Sequence, residues 1–470
     1  MIQFGTGGWR ALIGEDFTKA NVQLVAQALA NIMIQEKVTD RGFVIGYDRR
    51  FLSDKAASWF SEVLAGNGIR VSFIDKYVPT PIVMFKAKQT GTAYSGCITA
   101  SHNPADYNGI KIFIEGGRDA NEEITKKIET QITTLTTDDI NVADFEDAVT
   151  DQLIEQINPM NDFVDSIINF IDVEAIKRAN LRVLIDPMFG VAKNALQTVL
   201  ITGRCDVDVI NDTQNPAFGG LMPSPSAATL YRLKHLVAHE GYDIGIGTDG
   251  DADRLGIIDE KGNFIHPNEV LMLLYYYLLE YKGWKGSVVR NIATTHLLDK
   301  IAAAHGEKSF EVPVGFKHVS AQMEADDSLI GGESSGGLTI RGHIKGKDGV
   351  FASSLLVEMI SVTSKKLSEM LDEIYSKYGY AYTAEGDCNF KPTERQRLYD
   401  KIYVQKALPD FGYEVEKVSY ADGAKVYFKN GGWALARFSG TEPLLRLFAE
   451  MEDKEQAENI IQQLKSFLHI

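Results

Sequence analysis

Ile244-Gly245-Ile246-Gly247-Thr248-Asp249-Gly250-Asp251-Ala252-Asp253-Arg254 reads as an apolar strand that stops at an aspartate and opens into an acidic loop. Leu255-Gly256-Ile257-Ile258 then reads as the next strand. The same pattern recurs twice upstream. Val44-Ile45-Gly46-Tyr47-Asp48 runs into Arg49-Arg50, and Val183-Leu184-Ile185-Asp186 runs into Pro187-Met188-Phe189-Gly190. Short β-branched runs alternate with longer helical patterns, which predicts an α/β architecture with polar loops at strand ends, where such sheets bind ligands.

A chain of 470 residues is too long for one core, and its length suggests about three or four domains. The Thr-, Asp- and Asn-rich run 134–152 suits a first boundary, the strand after the acidic loop a second, and the amphipathic stretch Ser368 to Tyr380 a third. Strand patterns follow, and Asp453 to Leu468 has the apolar spacing of a surface-packed helix. The charge balance is acidic, 48 Lys+Arg against 64 Asp+Glu for a net of -16, which disfavours nucleic acid and anionic membranes as partners. Three scattered cysteines, Cys97, Cys205 and Cys388, argue for a reducing compartment. The N-terminal residues resemble no signal peptide, and Val270 to Leu279, with three tyrosines, fits a buried helix better than a membrane span. A cytoplasmic protein is expected.

Four polar stretches carry chemistry. Thr99-Ala100-Ser101-His102-Asn103-Pro104 puts a serine hydroxyl in a turn delivered by the strand Ser95 to Thr99, stiffened by Pro104. Such a serine can act as a nucleophile or carry a phosphoryl group. His102 beside it is a candidate base, although a histidine in a turn is more often a structural hydrogen bonder. In the opening loop, Asp249, Asp251 and Asp253 can turn their oxygens toward one hard cation such as Mg²⁺ or Ca²⁺. A solvated acidic turn is the plain alternative. A calcium loop would use Glu260 in the twelfth place, but Arg254 stands sixth, where that loop needs glycine.

Gly331-Gly332-Glu333-Ser334-Ser335-Gly336-Gly337 can hydrogen-bond the vicinal hydroxyls of a sugar, or serve as a flexible turn. Arg437-Phe438-Ser439-Gly440-Thr441-Glu442-Pro443, followed by Arg446, offers hydroxyls, amides and an arginine fork to a phosphate dianion, or forms a polar hairpin. Gly5-Thr6-Gly7-Gly8-Trp9-Arg10 lacks the Lys-Ser/Thr ending of a nucleotide-binding loop, and leaves Arg10 as a candidate anion contact.

The four loops, in this order, resemble the α-D-phosphohexomutase family of phosphoglucomutases and phosphomannomutases over nearly the whole chain. The resemblance implies four domains around a central cleft: three mixed α/β units at 1–150, 151–260 and 261–370, and a smaller α+β domain at 371–470. They would carry the phosphoserine, metal, sugar and phosphate loops in turn. It implies a phosphorylated Ser101 and Mg²⁺ held by that group with Asp249, Asp251 and Asp253. Arg10, Lys111 and Arg254 match family positions near the phosphoserine, with Lys111 read as proton manager or charge stabiliser. Glu333 and Ser335 would hold sugar hydroxyls, and Lys317, in Pro313-Val314-Gly315-Phe316-Lys317, resembles the specificity loop. Arg437, Ser439, Gly440, Thr441 and Arg446 would hold the non-reacting phosphate.

The implied reaction interconverts glucose 1-phosphate and glucose 6-phosphate through glucose 1,6-bisphosphate, in a monomer or homodimer. Glu333-Ser334-Ser335-Gly336-Gly337 lacks the histidine that dual glucose/mannose enzymes carry at Gly337, and Lys347-Asp348-Gly349 after His343-Ile344 looks like the phosphoglucomutase side. Mannose, pentose and glucosamine phosphates remain alternatives. A Mg²⁺-dependent sugar phosphatase and a non-enzymatic calcium- or sugar-phosphate-binding module are the readings outside the class.

Overall fold

The computed structural model describes residues 2–5, 8–439 and 444–470. Two compact units are distinguished: one comprises residues up to Leu274 with Ser335–Glu369, the other Tyr275–Ser334 with Met370–Ile470.

The first unit holds two sheets. In one, the strands Phe43–Tyr47, Val71–Ile74, Tyr94–Ile98 and Ile154–Ile157 run parallel, and Tyr107–Ile114 and Gly8–Leu12 continue the sheet antiparallel. Ile154–Ile157 lies past residue 150, beyond the Thr- and Asp-rich run read as a boundary, and pairs with Val71–Ile74. The helix Lys19–Gln35 covers this sheet because Val22, Val25, Ala26, Leu29, Ile32 and Met33 recur at helical spacing and are all buried. Thr18 starts that helix by accepting from the Asn21 amide. In the other sheet, Asp206–Val209, Arg182–Asp186 and Ile244–Thr248 are parallel, and Leu255–Ile258 and Phe264–Ile265 follow antiparallel.

The strand-end aspartates shape the turns that follow them. Asp48 Oδ1 accepts from the Arg50 amide and Asp186 Oδ1 from the Met188 amide, the two-residue reach of an Asx turn.

In the second unit, Val288–Asn291 pairs in parallel with both Ser309–Val312 and Ile330–Gly332. The C-terminal sheet is antiparallel, ordered Tyr382–Asn389, Leu444–Met451, Trp433–Phe438, Ala424–Phe428, Val415–Ser419. Its closing helix, Lys454–Leu468, is capped by Asp453 and buries Ala457, Ile460, Ile461, Leu464 and Leu468. Lys425 ties the two sheets together: buried under Trp433, its Nζ donates to the Ile292 carbonyl at 2.6 Å and to Glu311 at 2.7 Å. The expected buried helix spans Pro267–Glu280, and Tyr275, Tyr276 and Tyr277 are fully buried. Among the described residues, no helix is long and apolar enough to cross a membrane. The three cysteines are buried free thiols.

Candidate active site

The buried strand Tyr94–Ile98 delivers the serine loop. Thr99 Oγ1 donates to Asp48 Oδ2 at 2.6 Å and accepts from the Ser101 amide at 2.8 Å. Ser101 sits at φ +53°, in the left-handed region that costs a non-glycine residue energy and persists only where the surroundings enforce it. The enforcement comes from Arg50. Its Nη2 donates to the carbonyls of Ser101 and Asn103, both at 2.6 Å, and its Nη1 to those of Pro104 at 2.7 Å and Tyr107 at 3.0 Å.

Ser101 Oγ donates to Asp249 Oδ2 at 2.9 Å. The acidic loop is folded tightly against the serine loop, since a Cβ on Gly250 would lie 2.8 Å from the Ser101 carbonyl. Asp249, Asp251 and Asp253 are buried, and one ligand atom from each lies within 4.8 Å of the others. Asp251 Oδ2 accepts from Thr80 Oγ1 at 2.6 Å and Lys111 Nζ at 2.5 Å. Asp253 Oδ2 accepts from Lys111 at 2.6 Å and pairs with Lys347 at 2.9 Å. The second oxygens, Asp251 Oδ1 and Asp253 Oδ1, are buried without a hydrogen-bond partner. Buried carboxylate oxygens left unpaired are costly, and a hard cation that takes oxygen ligands satisfies them. The donor set therefore fits a divalent metal. The calcium-loop alternative is not supported, because among the described residues Glu260 does not join the three aspartates, and it accepts from the Ser368 hydroxyl instead.

Electrostatics divide the three carboxylates. Burial, reinforced by Asp251 and Asp253, pushes Asp249 well above the usual carboxylate range. Burial opposes ionisation of Asp253 too, but Lys111, Lys347 and Arg254 outweigh it and hold that group well below. Lys111 is likewise desolvated, yet Asp251 and Asp253 raise its pKa, so it is firmly an ammonium in this arrangement. His102 Nδ1 lies 3.3 Å from Ser101 Oγ, and burial, with Arg254 and Arg10 adding, drives its pKa well below the usual value. A neutral imidazole beside the hydroxyl results. Arg10 reaches the same loop, donating to Asn103 Oδ1 at 2.5 Å, and the Arg254 amide donates to Asp249 Oδ1 at 3.1 Å.

Thr80 was not singled out from sequence, and Arg50 and Lys347 were read only as the sequel of a strand end and as part of the stretch Lys347-Asp348-Gly349, not as residues of this site. Lys347 precedes Asp348, which caps the helix Gly349–Thr363 by accepting from the amides of Val350 and Phe351. The other oxygen of Asp348 meets buried His343 at 2.7 Å, and the Gly349 amide donates to the Ala252 carbonyl in the acidic loop. A capping aspartate before an apolar helix was the available signal.

In the second unit, Glu333 follows the strand Ile330–Gly332 and is buried. Its Oε1 accepts from the Gly315 amide at 2.9 Å and Asn291 Nδ2 at 3.1 Å. Lys317 is half-buried in the first turn of the helix Phe316–Asp326. Ser335 is exposed and belongs to the first unit. Arg437 lies directly across from Arg446 in the C-terminal sheet, and its Nε donates to Asp422 Oδ1 at 2.7 Å. Ser439 is buried, with its amide on the Leu444 carbonyl. Gly440 and Thr441 lie outside the described residues.

The phosphoglucomutase/phosphomannomutase alpha/beta/alpha domains I, II and III match residues 1–139, 161–262 and 266–378, and the C-terminal domain of that family matches 389–466. A phosphoglucomutase/phosphomannomutase of Thermococcus kodakarensis is 30% identical over 461 residues, covering 98% of this chain and 96% of its own. The chain belongs to the phosphoglucomutase/phosphomannomutase family. Phosphohexomutases are intramolecular phosphotransferases, and the two outside readings, phosphatase and binding module, give way to that class. A phosphoglucosamine/phosphogalactosamine mutase of Sulfurisphaera tokodaii is 27% identical, covering 99% of this chain and 98% of its own. Among solved structures, a Thermus thermophilus protein provisionally described as a phosphomannomutase superposes with a TM-score of 0.86 at 28% identity, over 100% of this chain and 99% of that one. The phosphohexomutase fold thus extends over the three α/β domains and the C-terminal domain.

Proposed function

We propose that this phosphohexomutase interconverts glucose 1-phosphate and glucose 6-phosphate, with Ser101 as the phosphoryl carrier. The observation that carries the reading is the 2.9 Å contact of Ser101 Oγ with Asp249, inside a buried carboxylate cluster in which two oxygens have no hydrogen-bond partner. Asp249, Asp251 and Asp253, with an oxygen of the Ser101 phosphate, would hold Mg²⁺. When bound, that ion supplies positive charge to the transferring phosphoryl group.

The chain's own residues do the rest. Arg50 fixes the direction of the Ser101 side chain through four main-chain carbonyls. A substrate hydroxyl attacks the phosphorus of phosphoserine 101. The new sugar O–P bond forms as the Ser101 O–P bond breaks, in line, the proton of the sugar hydroxyl ends on Ser101 Oγ, and the product is a hexose 1,6-bisphosphate. Arg10, Arg254 and Lys347 add cationic charge around the transferring group, where positioning and electrostatics supply most of the catalysis. Lys111, held charged between Asp251 and Asp253, serves charge balance. Neutral His102, with Nδ1 3.3 Å from Ser101 Oγ, is a second polar neighbour of that oxygen and orients it. After the bisphosphate turns end for end, its other phosphate returns to Ser101. Arg437, Ser439, Gly440, Thr441 and Arg446 would grip the non-reacting phosphate, while Glu333, Ser335 and Lys317 meet the sugar.

Glucose is favoured by Gly337 in place of a histidine and by Lys347-Asp348-Gly349 after His343-Ile344. Glucosamine phosphate is the second reading, supported by the Sulfurisphaera relative. Comparison of kcat/KM for glucose, mannose, glucosamine and pentose 1-phosphates, each with Mg²⁺ and the matching bisphosphate, tests the assignment. The highest value for glucose supports it, and a higher value for glucosamine transfers it.

A further inference from the structure

We infer that Asp422 is a positioning residue that locks the phosphate-gripping arginine to the sugar-specificity loop, so that the two grips act as one. Asp422 lies in the turn between the strands Val415–Ser419 and Ala424–Phe428. Its two oxygens serve two different segments. Oδ1 accepts from Arg437 Nε at 2.7 Å, and Oδ2 accepts from the Val314 amide at 2.8 Å. The next amide along, Gly315, donates to Glu333 Oε1 at 2.9 Å. Adjacent amides of one loop thus hold two carboxylates, Asp422 on one side and Glu333 on the other. The continuous path runs Arg437, Asp422, Val314-Gly315, Glu333.

The geometry suits positioning rather than contact with substrate. Asp422 takes the Nε edge of the guanidinium, while a bidentate phosphate contact is made through Nη1 and Nη2. An arginine anchored at Nε presents that fork in a fixed direction. The turn is pressed against its neighbour by Gly423, at φ +102°, where a Cβ would lie 2.8 Å from the Ala436 carbonyl and 3.0 Å from Arg437 Cβ. Val314 packs against the cluster of Ile292, Ala293, Trp433, Leu435 and Phe448, which seats the loop on the C-terminal sheet. A residue outside all four loops therefore determines both how the phosphate is met and how Glu333 is held.

The inference rests on the phosphohexomutase roles of Arg437 and Glu333, and its test separates the two. Asp422→Asn and Asp422→Ala are compared with the unaltered enzyme, alone and on an Arg437→Ala background, by kinetics with glucose 1-phosphate and calorimetric binding of glucose 6-phosphate. Loss of an anchored charged pair is expected to raise KM and weaken binding about tenfold with kcat nearly unchanged, since the lost interaction serves ground and transition states alike. On the Arg437→Ala background the same substitution has a clearly smaller effect on both quantities, because the part that runs through Arg437 is already lost and only the part through Val314 remains. Asp422→Ala also shifts the ratio of kcat/KM for glucose over mannose 1-phosphate. Equal losses on both backgrounds, or no loss on either, overturn the inference while an active unaltered enzyme keeps the functional reading. An unaltered protein that turns over no sugar phosphate yet binds glucose 6-phosphate in an Asp422-dependent way overturns the reading and keeps the inference. Absence of binding by the unaltered protein overturns both.

Discussion

Arg50 Nη2 donates to the main-chain carbonyl of Ser101 at 2.6 Å, and the same guanidinium spans three further carbonyls of the serine loop. The planar fork matches four fixed acceptors, and a lysine ammonium, a compact point charge, cannot. Arg50→Lys is expected to lower kcat by about 10- to 100-fold, as a small misplacement of a reacting atom does. KM is expected to stay near its original value because the Nη groups of Arg50 are spent on main-chain carbonyls. Steady-state kinetics check the split, and an unchanged kcat would show that the Ser101 backbone holds its left-handed conformation without the clamp.

The oxygens of Asp251 and Asp253 that have no hydrogen-bond partner predict a metal-dependent stability. A ligand that binds only the folded protein, at a hundredfold excess over Kd, adds about 2.7 kcal/mol. Mg²⁺ is therefore expected to raise the Tm of the unaltered protein, and chelation to abolish turnover. Asp251→Asn should remove most of the Mg²⁺ increment, measured by calorimetry with and without the metal. A full increment in that variant would place the metal elsewhere.

Burial, with Arg290 adding, lowers the pKa of Lys425 to about 8 despite its pair with Glu311. An unfolded lysine titrates near 10.4, so from about pH 8 to 10 the unfolded chain binds more protons than the folded one. The contribution of Lys425 to stability therefore rises with pH across that window. Buried thiols and phenols titrate there with the opposite sign, as Cys97 and Tyr47 do, so the comparison is a difference from Lys425→Met. The stability of the unaltered protein relative to that variant is expected to grow between about pH 8 and 10 in denaturant titrations. A flat difference would contradict the assignment of that proton.

How much the sequence discloses depends on the range of each contact. Asp48 and Asp186 were legible as strand ends because an Asx turn is local, reaching two residues on at Arg50 and Met188. The buried helix Pro267–Glu280 and the closing helix were legible from apolar spacing. The three aspartates were legible as a set since alternate positions in one loop keep their carboxylates near each other. The contacts of Lys347, Arg50 and Asp422 were not. Lys347 meets Asp253 across 94 positions, from 253 to 347, and Asp422 meets Val314 across 108. No local pattern encodes such a meeting. Lys111, whose family position left it as proton manager or charge stabiliser, lies between two carboxylates, an arrangement that favours charge balance.

The central claim is that Ser101 carries the phosphoryl group between two positions of one sugar. The direct measurement treats the protein with glucose 1,6-bisphosphate and Mg²⁺, maps the modified peptide by mass spectrometry, and then adds glucose 1-phosphate. The account predicts one phosphoryl group on Ser101, its loss on addition of the sugar phosphate, and glucose 6-phosphate as product, with Ser101→Ala inactive but still binding sugar phosphate. Phosphate on another residue, or release of inorganic phosphate without glucose 6-phosphate, would contradict it.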